Sequence, residues 1–153
     1  MTIHPEQQYL DILKNIIENG DHRIDRTGVG TYAITGATMR FDLSDGRVPL
    51  LTTKRVYWKT AIKEMLWFLS GDTNIQNLLK QNVRIWTDWP LAAYRKKTGH
   101  QIEQSVFEER IVNDDDFARE WGDLGRGTYG GQWRKWEGND GRIYDQIANV
   151  IHL

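Results

Sequence analysis

The sequence of 153 residues contains no cysteine. This absence excludes disulfides, thiolate zinc sites and a cysteine nucleophile from these residues. Long hydrophobic runs are also lacking, and the first residues have neither the basic nor the apolar region of a signal peptide. We therefore expect a cytoplasmic protein.

An excess of charge of one sign is missing too, because 20 Lys and Arg residues are balanced by 21 Asp and Glu residues. A general nucleic-acid surface normally carries a basic excess, so DNA binding is not expected and any anion site must be local. The sequence has only four histidines, which are His4, His22, His100 and His152. They show no metal-ligand spacing, so we expect no metal site.

The apolar content, 39% of the residues, is that of a globular chain, and the length suits one domain. Apolar residues recur at helical spacing over residues 5–19 and 57–70, and a glycine follows each segment. A short third helix is predicted over residues 74–80. Residues 31–43 are rich in strand-forming side chains and predict one long or bulged strand, or a hairpin.

Residues 84–89 predict a strand or turn that carries two tryptophans. Residues 90–121 are dominated by charged and amide side chains, and we interpret them as a surface insertion that adds little to the core. Asn113 and the acidic residues 114–116 predict the cap of a short helix there. A last helix is predicted from Arg142, and it reaches Leu153 without a terminating signal, so we expect an element cut off in its course.

The helix over residues 57–70 contains a glutamate in an unusual position. Glu64 lies outside the solvated arc of the helix and is flanked by aromatic side chains, so it must be paired, neutralised or facing a wet cavity. It is a candidate general acid or base, and a surface glutamate on an aromatic rim is the alternative. The helical projection predicts a core stripe elsewhere on the helix, consisting of Ile62, Met65, Leu66 and Leu69. Three residues widen this stripe on one side: Trp58, Ala61 and Phe68.

The stretch DRTGVGT, residues 25–31, surrounds Arg26 with glycines and threonines. Glycines let a backbone approach an anion, and a guanidinium offers a planar fork of donors for a phosphate or carboxylate. The pattern matches neither common nucleotide-binding loop. A structural turn ahead of the next strand is the alternative.

Tryptophan is abundant, with seven residues. Large flat side chains suit a planar heterocyclic ligand, but they also fill cores, and both interpretations stay open for several of them: Trp86, Trp89, Trp121, Trp133 and Trp136. The stretch YGGQWR, residues 129–134, combines glycine, arginine and aromatics as some RNA-binding segments do, although the near-neutral net charge opposes that interpretation.

Five blocks, in this order, resemble the amino-terminal half of the thymidylate synthase family: DRTGVGT, PLLTTKR, EMLWFLSGDTN, IWTDW and YGGQWR. The resemblance runs from Tyr9 to the last residue, and residues 90–121 resemble an insertion that some bacterial members carry. It implies an α/β fold, in which a large mixed sheet is flanked by helices and is incomplete at the carboxyl end. It also implies that residues 1–153 are part of one domain, and that the whole protein is a homodimer.

Members of this family convert dUMP to dTMP with 5,10-methylenetetrahydrofolate as co-substrate. The resemblance implies that Arg26 binds the substrate phosphate and that Glu64 and Tyr129 belong to the catalytic site. It assigns a further set of residues to folate binding: Lys54, Tyr57, Ile85, Trp86 and Trp89. Tyr57 stands where many members have histidine.

The family's reaction begins with a cysteine thiolate, which we expect in a Pro-Cys-His block beyond Leu153. The chain alone is therefore expected to be an inactive, truncated synthase. Two alternatives stay open: a fragment of deoxycytidylate hydroxymethylase, which shares the fold and cofactor, and a non-catalytic remnant that binds nucleotide, folate or RNA.

Overall fold

The computed structural model describes residues 4–26 and 28–152. Thr27 of the DRTGVGT stretch and Leu153, the residue at which the last predicted helix was expected to be cut off, lie outside the described residues. The chain divides into two compact units, Met1–Val56 and Tyr57–Leu153. Each unit has its own elements.

The described residues of the first unit, 4–26 and 28–56, form one helix and one hairpin. Helix α1 covers Gln7–Asn19, which confirms the first predicted helix, and the N–H of Gly20 donates to the carbonyl of Ile16 at its end. Strands β1 (Asp21–Arg23) and β2 (Thr31–Ala33) pair antiparallel. Arg26, Gly28, Val29 and Gly30 of the DRTGVGT stretch therefore lie between the two paired strands of a hairpin, and Thr31 begins β2.

The long strand predicted over residues 31–43 is wrong, because regular pairing ends at Ala33. A strand needs a neighbouring strand to satisfy its backbone, and here a side chain takes that place. The Gln8 side-chain amide donates to the Arg40 carbonyl and accepts from the Arg40 N–H, each at 2.8 Å. The chain at Arg40 is therefore tied to α1 and not to a sheet.

The second unit is mainly helical. Its elements in chain order are α2 (Trp58–Ser70), α3 (Gln76–Lys80), α4 (Asp88–Thr98), α5 (Gln104–Asn113), α6 (Asp115–Trp121), α7 (Tyr129–Arg134), β3 (Trp136–Glu137), β4 (Ile143–Tyr144) and α8 (Gln146–Ile151). Strands β3 and β4 form a second antiparallel pair. A helix-rich chain with small antiparallel sheets is consistent with the expected α/β fold of the thymidylate synthase type.

Local signals explain where several of these helices begin and end. The helices predicted over residues 57–70 and 74–80 are confirmed, and Gly71, with a φ of +71°, ends α2 in the left-handed conformation. Asp114 accepts the N–H of Phe117 at 3.0 Å, which confirms the acidic cap of α6. The helix predicted from Arg142 begins later, at Gln146, because the preceding residues pair as β4 and Asp145 caps α8.

The core of the second unit consists of two clusters. The first cluster contains Ile75, Leu79, Leu91, Tyr94, Phe107, Ile111, Phe117 and Ala118. The second contains Trp67, Phe68, Leu78 and Val83. Most of the first cluster comes from residues 90–121, so the expectation that this segment adds little to the core is wrong. The charged residues of this segment alternate with apolar residues at helical spacing, which form a buried face. On this face Tyr94 packs against Phe107, Phe117 and Trp121.

The buried side of α2 also differs from the helical projection. Phe68, on the side where the predicted stripe was widened, is buried, and so is Trp67, which lay outside it. Ile62 and Leu66 of the predicted stripe are 51% and 60% exposed. Helices α3 and α7 pack against α2 on the side of Trp67 and Phe68. The arc of α2 that was expected in the core is therefore a surface of this chain.

The glycines of the YGGQWR stretch allow α7 to pack closely. A Cβ atom at Gly130 would lie 2.6 Å from the carbonyl oxygen of Asp72, just past the end of α2. A Cβ atom at Gly131 would lie 2.7 Å from the carbonyl oxygen of Arg126. Both glycines are buried, so packing explains this glycine pair.

We predict that Gly130→Ala destabilises the chain by about 1–3 kcal/mol, because the added methyl group forces α7 away from the end of α2. Gly127→Ala is the matched control, since a Cβ atom there meets nothing within 4 Å. Its effect should stay within about 0.5 kcal/mol. Urea unfolding followed by tryptophan fluorescence measures both, and equal effects of the two substitutions would contradict the packing argument.

Candidate functional site

Glu64 lies on α2 and is half-buried. Its Oε1 atom accepts a hydrogen bond of 2.7 Å from the indole Nε1 of Trp86. Trp86 lies in the turn that precedes α4 and packs against both core clusters. Of the three possibilities that the sequence left open for Glu64, the structure shows a paired carboxylate.

Four aromatic side chains form what we call the aromatic wall: Phe68, Trp86, Trp89 and Tyr129. The ring of Trp86 lies 5.1 Å from Trp89, 5.8 Å from Phe68 and 6.2 Å from Tyr129. Trp89 is 62% exposed and Tyr129 is 52% exposed. The wall therefore presents flat ring surface to solvent while Phe68 fixes it to the core.

This arrangement combines an oriented carboxylate with exposed ring faces. The indole N–H fixes the direction of the Glu64 carboxylate. It occupies one acceptor position of the carboxylate, so other positions can accept from water or from a bound molecule. Such a group can position water or exchange a proton with a bound molecule. Exposed indole and phenol rings can stack on a planar heterocycle, which prefers an offset arrangement. The structure thus brings Glu64, Trp86, Trp89 and Tyr129 together, and their roles in catalysis and binding remain predictions.

Arg26 lies exposed in the hairpin loop of the first unit. The N–H of Gly28 donates to the carbonyl of Asp25 at 3.1 Å, and Gly28 and Gly30 have φ values of +77° and +86°. A Cβ atom at Gly30 would lie 2.6 Å from Nε2 of His22. Both glycines thus serve the loop itself, and phosphate binding by Arg26 remains a prediction.

The other predicted folate-binding residues are at the surface. Lys54 is exposed in an irregular segment of the first unit. Tyr57 precedes the first residue of α2, and Ile85 is next to Trp86 in the turn before α4; both are exposed. Exposure is compatible with ligand contact, but their roles in binding remain predictions.

Sequence reasoning missed Glu6, which fixes the segment before Lys54. Its two carboxylate oxygens accept the N–H of Thr52 at 2.5 Å, the hydroxyl of Thr52 at 2.5 Å and the N–H of Thr53 at 3.2 Å. Glu6 is only 8% exposed. The Thr52 hydroxyl, followed by the two backbone donors, holds the pKa of Glu6 below its ordinary value.

Two further polar residues near the aromatic wall were missed. Thr87 and Glu108 are both buried, and the Thr87 hydroxyl donates to Oε1 of Glu108 at 2.8 Å. A sequence signal exists for Glu108. It falls in the same helical stripe as Phe107 and Ile111, so a helical projection of this segment places a carboxylate in the core.

Within residues 4–26 and 28–152, no three His, Asp or Glu side chains are grouped so that they could hold a metal ion. The helices of the part of the chain that the structure describes are too short or too polar to cross a membrane.

Comparison with known proteins identifies close relatives. Residues 7–153 match the family model for thymidylate synthase. Thymidylate synthase from Rhodopseudomonas palustris strain BisA53 is 70% identical over 148 residues, which are 97% of this chain and 49% of the relative. The protein of the same name from Rhizobium rhizogenes strain K84 is 68% identical over 151 residues, which are 99% of this chain and 49% of that relative. The chain thus spans about half the length of the curated relatives it matches.

We predict that Trp86→Phe destabilises the chain by about 1–2 kcal/mol, because the half-buried Glu64 carboxylate loses its donor and the smaller phenyl ring loses part of the indole's packing. A double-mutant cycle with Glu64→Ala, which removes the acceptor, isolates the pair and should give a coupling energy of about 1 kcal/mol in urea unfolding. Trp136→Phe on the exposed strand β3 is the control. A coupling energy near zero would show that the pair adds nothing to stability.

We also predict that acid weakens the first unit through Glu6. A carboxylate whose folded pKa is lowered stabilises the fold fully above its unfolded pKa, near 4.5, and this contribution is lost as the pH falls through the lower folded value. Unfolding of the parent chain should therefore become easier below pH 4.5.

Glu6→Gln tests this assignment, because it removes the titrating group and should flatten the pH dependence. The control is Glu18→Gln, which removes an exposed carboxylate that lies 3.8 Å from Lys14. Since exposed pairs contribute little, the control should keep the pH profile of the parent. Identical profiles for the parent and Glu6→Gln would assign the acid sensitivity to other groups.

Proposed function

The chain belongs to the thymidylate synthase family, and we propose that it carries part of the site at which dUMP is reductively methylated to dTMP. The hydrogen bond of 2.7 Å from Trp86 to Glu64 at the aromatic wall is the observation that carries the proposal. It puts an oriented carboxylate next to ring surface that a planar ligand can cover. Reductive methylation needs both features, because a proton must move at the pyrimidine and a pterin must be held beside it.

Glu64 is the proposed proton-handling group. Its carboxylate is fixed by Trp86 and lies at the edge of an apolar cluster, where water is partly excluded and an oriented group acts with little rearrangement. Tyr129 is the proposed second catalytic residue, with its ring 5.0 Å from Phe68 and its surface half exposed.

The aromatic wall is the proposed folate surface. When it is bound, 5,10-methylenetetrahydrofolate supplies the one-carbon unit and the hydride. Trp86 and Trp89 offer ring faces for the pterin, and Ile85 adds apolar surface beside them. Lys54 and Tyr57 are the proposed contacts of the anionic folate tail, since an ammonium group and a phenol can both donate to carboxylates.

Arg26 is the proposed contact of the dUMP phosphate. Its guanidinium can donate two parallel hydrogen bonds to a phosphate, and the hairpin loop holds it at the surface. The proposal assigns residues 1–153 to the amino-terminal part of one synthase domain. Residues 90–121 would be an insertion within it, and the complete protein would be a homodimer.

This chain has no cysteine, so it has no thiolate to attack the pyrimidine. We therefore expect no dihydrofolate formation when the chain is mixed with dUMP and 5,10-methylenetetrahydrofolate and the absorbance of dihydrofolate is followed. Steady turnover would refute this part of the proposal.

Binding tests the other part. We expect 5,10-methylenetetrahydrofolate, with dUMP present, to quench tryptophan fluorescence of the chain with saturation. Trp89→Ala should weaken this binding about tenfold, because one stacking face is lost, while Trp136→Phe should leave the affinity unchanged. Equal affinities for the parent and Trp89→Ala would contradict the assignment of the wall. Quenching that is stronger with dCMP than with dUMP would favour a deoxycytidylate enzyme.

A further inference from the structure

A buried carboxylate lies next to the aromatic wall and has no part in the proposed chemistry. Glu108 of α5 is 3% exposed. Its helical neighbours Phe107 and Ile111 belong to the first core cluster. A charge in such a place is expensive to desolvate unless donors surround it.

The donors to Glu108 come mainly from one turn. Its Oε1 atom accepts the hydroxyl of Thr87 at 2.8 Å and the side-chain amide of Gln104 at 2.9 Å. Its Oε2 atom accepts from the guanidinium of Arg84. The N–H of Thr87 donates to the carbonyl of Arg84 at 3.3 Å, so these two residues are the ends of a four-residue turn. One carboxylate therefore holds both ends of this turn.

The turn determines where the aromatic wall stands. Trp86 is in the turn, directly before Thr87. The carbonyl of Thr87 accepts the N–H of Leu91 at 3.1 Å and so starts α4, whose first turn carries Trp89. A shift of Thr87 therefore displaces both indoles of the wall.

We propose that Glu108 is a positioning residue for the aromatic wall. Through Thr87 and Arg84 it orients Trp86, and through Trp86 it orients the Glu64 carboxylate. Residues 90–121 then have a second task besides building the core, since they set the geometry of the surface that receives a planar ligand. That the ligand is a reduced folate rests on the proposed function, but the positioning itself does not.

A carboxylate suits this task better than an apolar side chain of similar size. Replacement of a buried ion pair by well-packed apolar groups is often neutral for stability. Such groups have no directional preference, however, so they would not select one orientation of the turn. Two oxygens that accept from Thr87 and Arg84 do select one orientation.

The test compares Glu108→Gln with Glu109→Gln in the 153-residue chain. Glu109 is the adjacent residue of α5 and is exposed. The readout is the set of indole N–H resonances in proton–nitrogen NMR spectra. We expect Glu108→Gln to shift the resonances of Trp86 and Trp89 and to leave that of Trp136 in place, because the amide nitrogen cannot accept from the turn. Glu109→Gln should change none of them.

A second pair of variants covers the case in which Glu108→Gln fails to fold. Thr87→Val keeps the shape but removes the hydroxyl donor, and Thr87→Ser keeps the donor. Thr87→Val should shift the same two resonances, and Thr87→Ser should restore those of the parent. If Glu108→Gln or Thr87→Val lowers stability while the Trp86 and Trp89 resonances stay in place, the carboxylate only stabilises the core and the proposal is overturned.

Ligand titration separates this proposal from the proposed function. We expect Glu108→Gln to weaken the binding of 5,10-methylenetetrahydrofolate about tenfold, with Glu109→Gln unchanged. If the parent chain binds no folate but the resonances shift as stated, positioning by Glu108 stands and the folate assignment fails. If folate binds the parent and both variants equally, with unshifted resonances, the proposed function stands and positioning by Glu108 is refuted.

Discussion

The packing of Trp86 is the constraint that connects the core of the second unit to the candidate site. Its ring contacts both core clusters, and its indole N–H takes the Glu64 carboxylate as acceptor. A half-buried carboxylate without a donor would cost more than the hydrogen bond itself contributes. Packing of Trp86 against the core therefore also orients the Glu64 carboxylate. The surface that we propose for folate forms only together with the core.

Sequence reasoning succeeded where the signal is local. Helices α1 and α2 follow from apolar periodicity, and the cap of α6 follows from its acidic residues, because these features depend on neighbours within a few residues. The pairing of Glu64 was also among the predicted possibilities, since the cost of desolvating a carboxylate among aromatics can be judged from one helix. The resemblance to the family added the grouping of Glu64 with Trp86, Trp89 and Tyr129, which periodicity alone does not provide.

The failures share a cause, which is dependence on partners distant in the chain. The strand predicted over residues 31–43 was wrong because a side chain from α1 binds the backbone there. The prediction of which arc of α2 is buried was wrong, because Ile62 is as apolar as the residues that α3 and α7 cover. A helical projection cannot show which arc another helix will pack against. For residues 90–121 the total charge concealed the apolar stripe, and a projection would have revealed both the stripe and Glu108.

In each of the two units a buried carboxylate accepts hydrogen bonds from a segment that has no regular secondary structure. Glu6 accepts the hydroxyl of Thr52 in an irregular segment that leads to Lys54, and Glu108 accepts the hydroxyl of Thr87 in a turn that contains Trp86. Segments without regular structure have no ladder of backbone bonds to fix their course, so their polar groups need acceptors from side chains. A carboxylate is the strongest such acceptor. Both segments carry residues that we propose for folate binding, so each carboxylate fixes the course of a segment on which the proposed site depends.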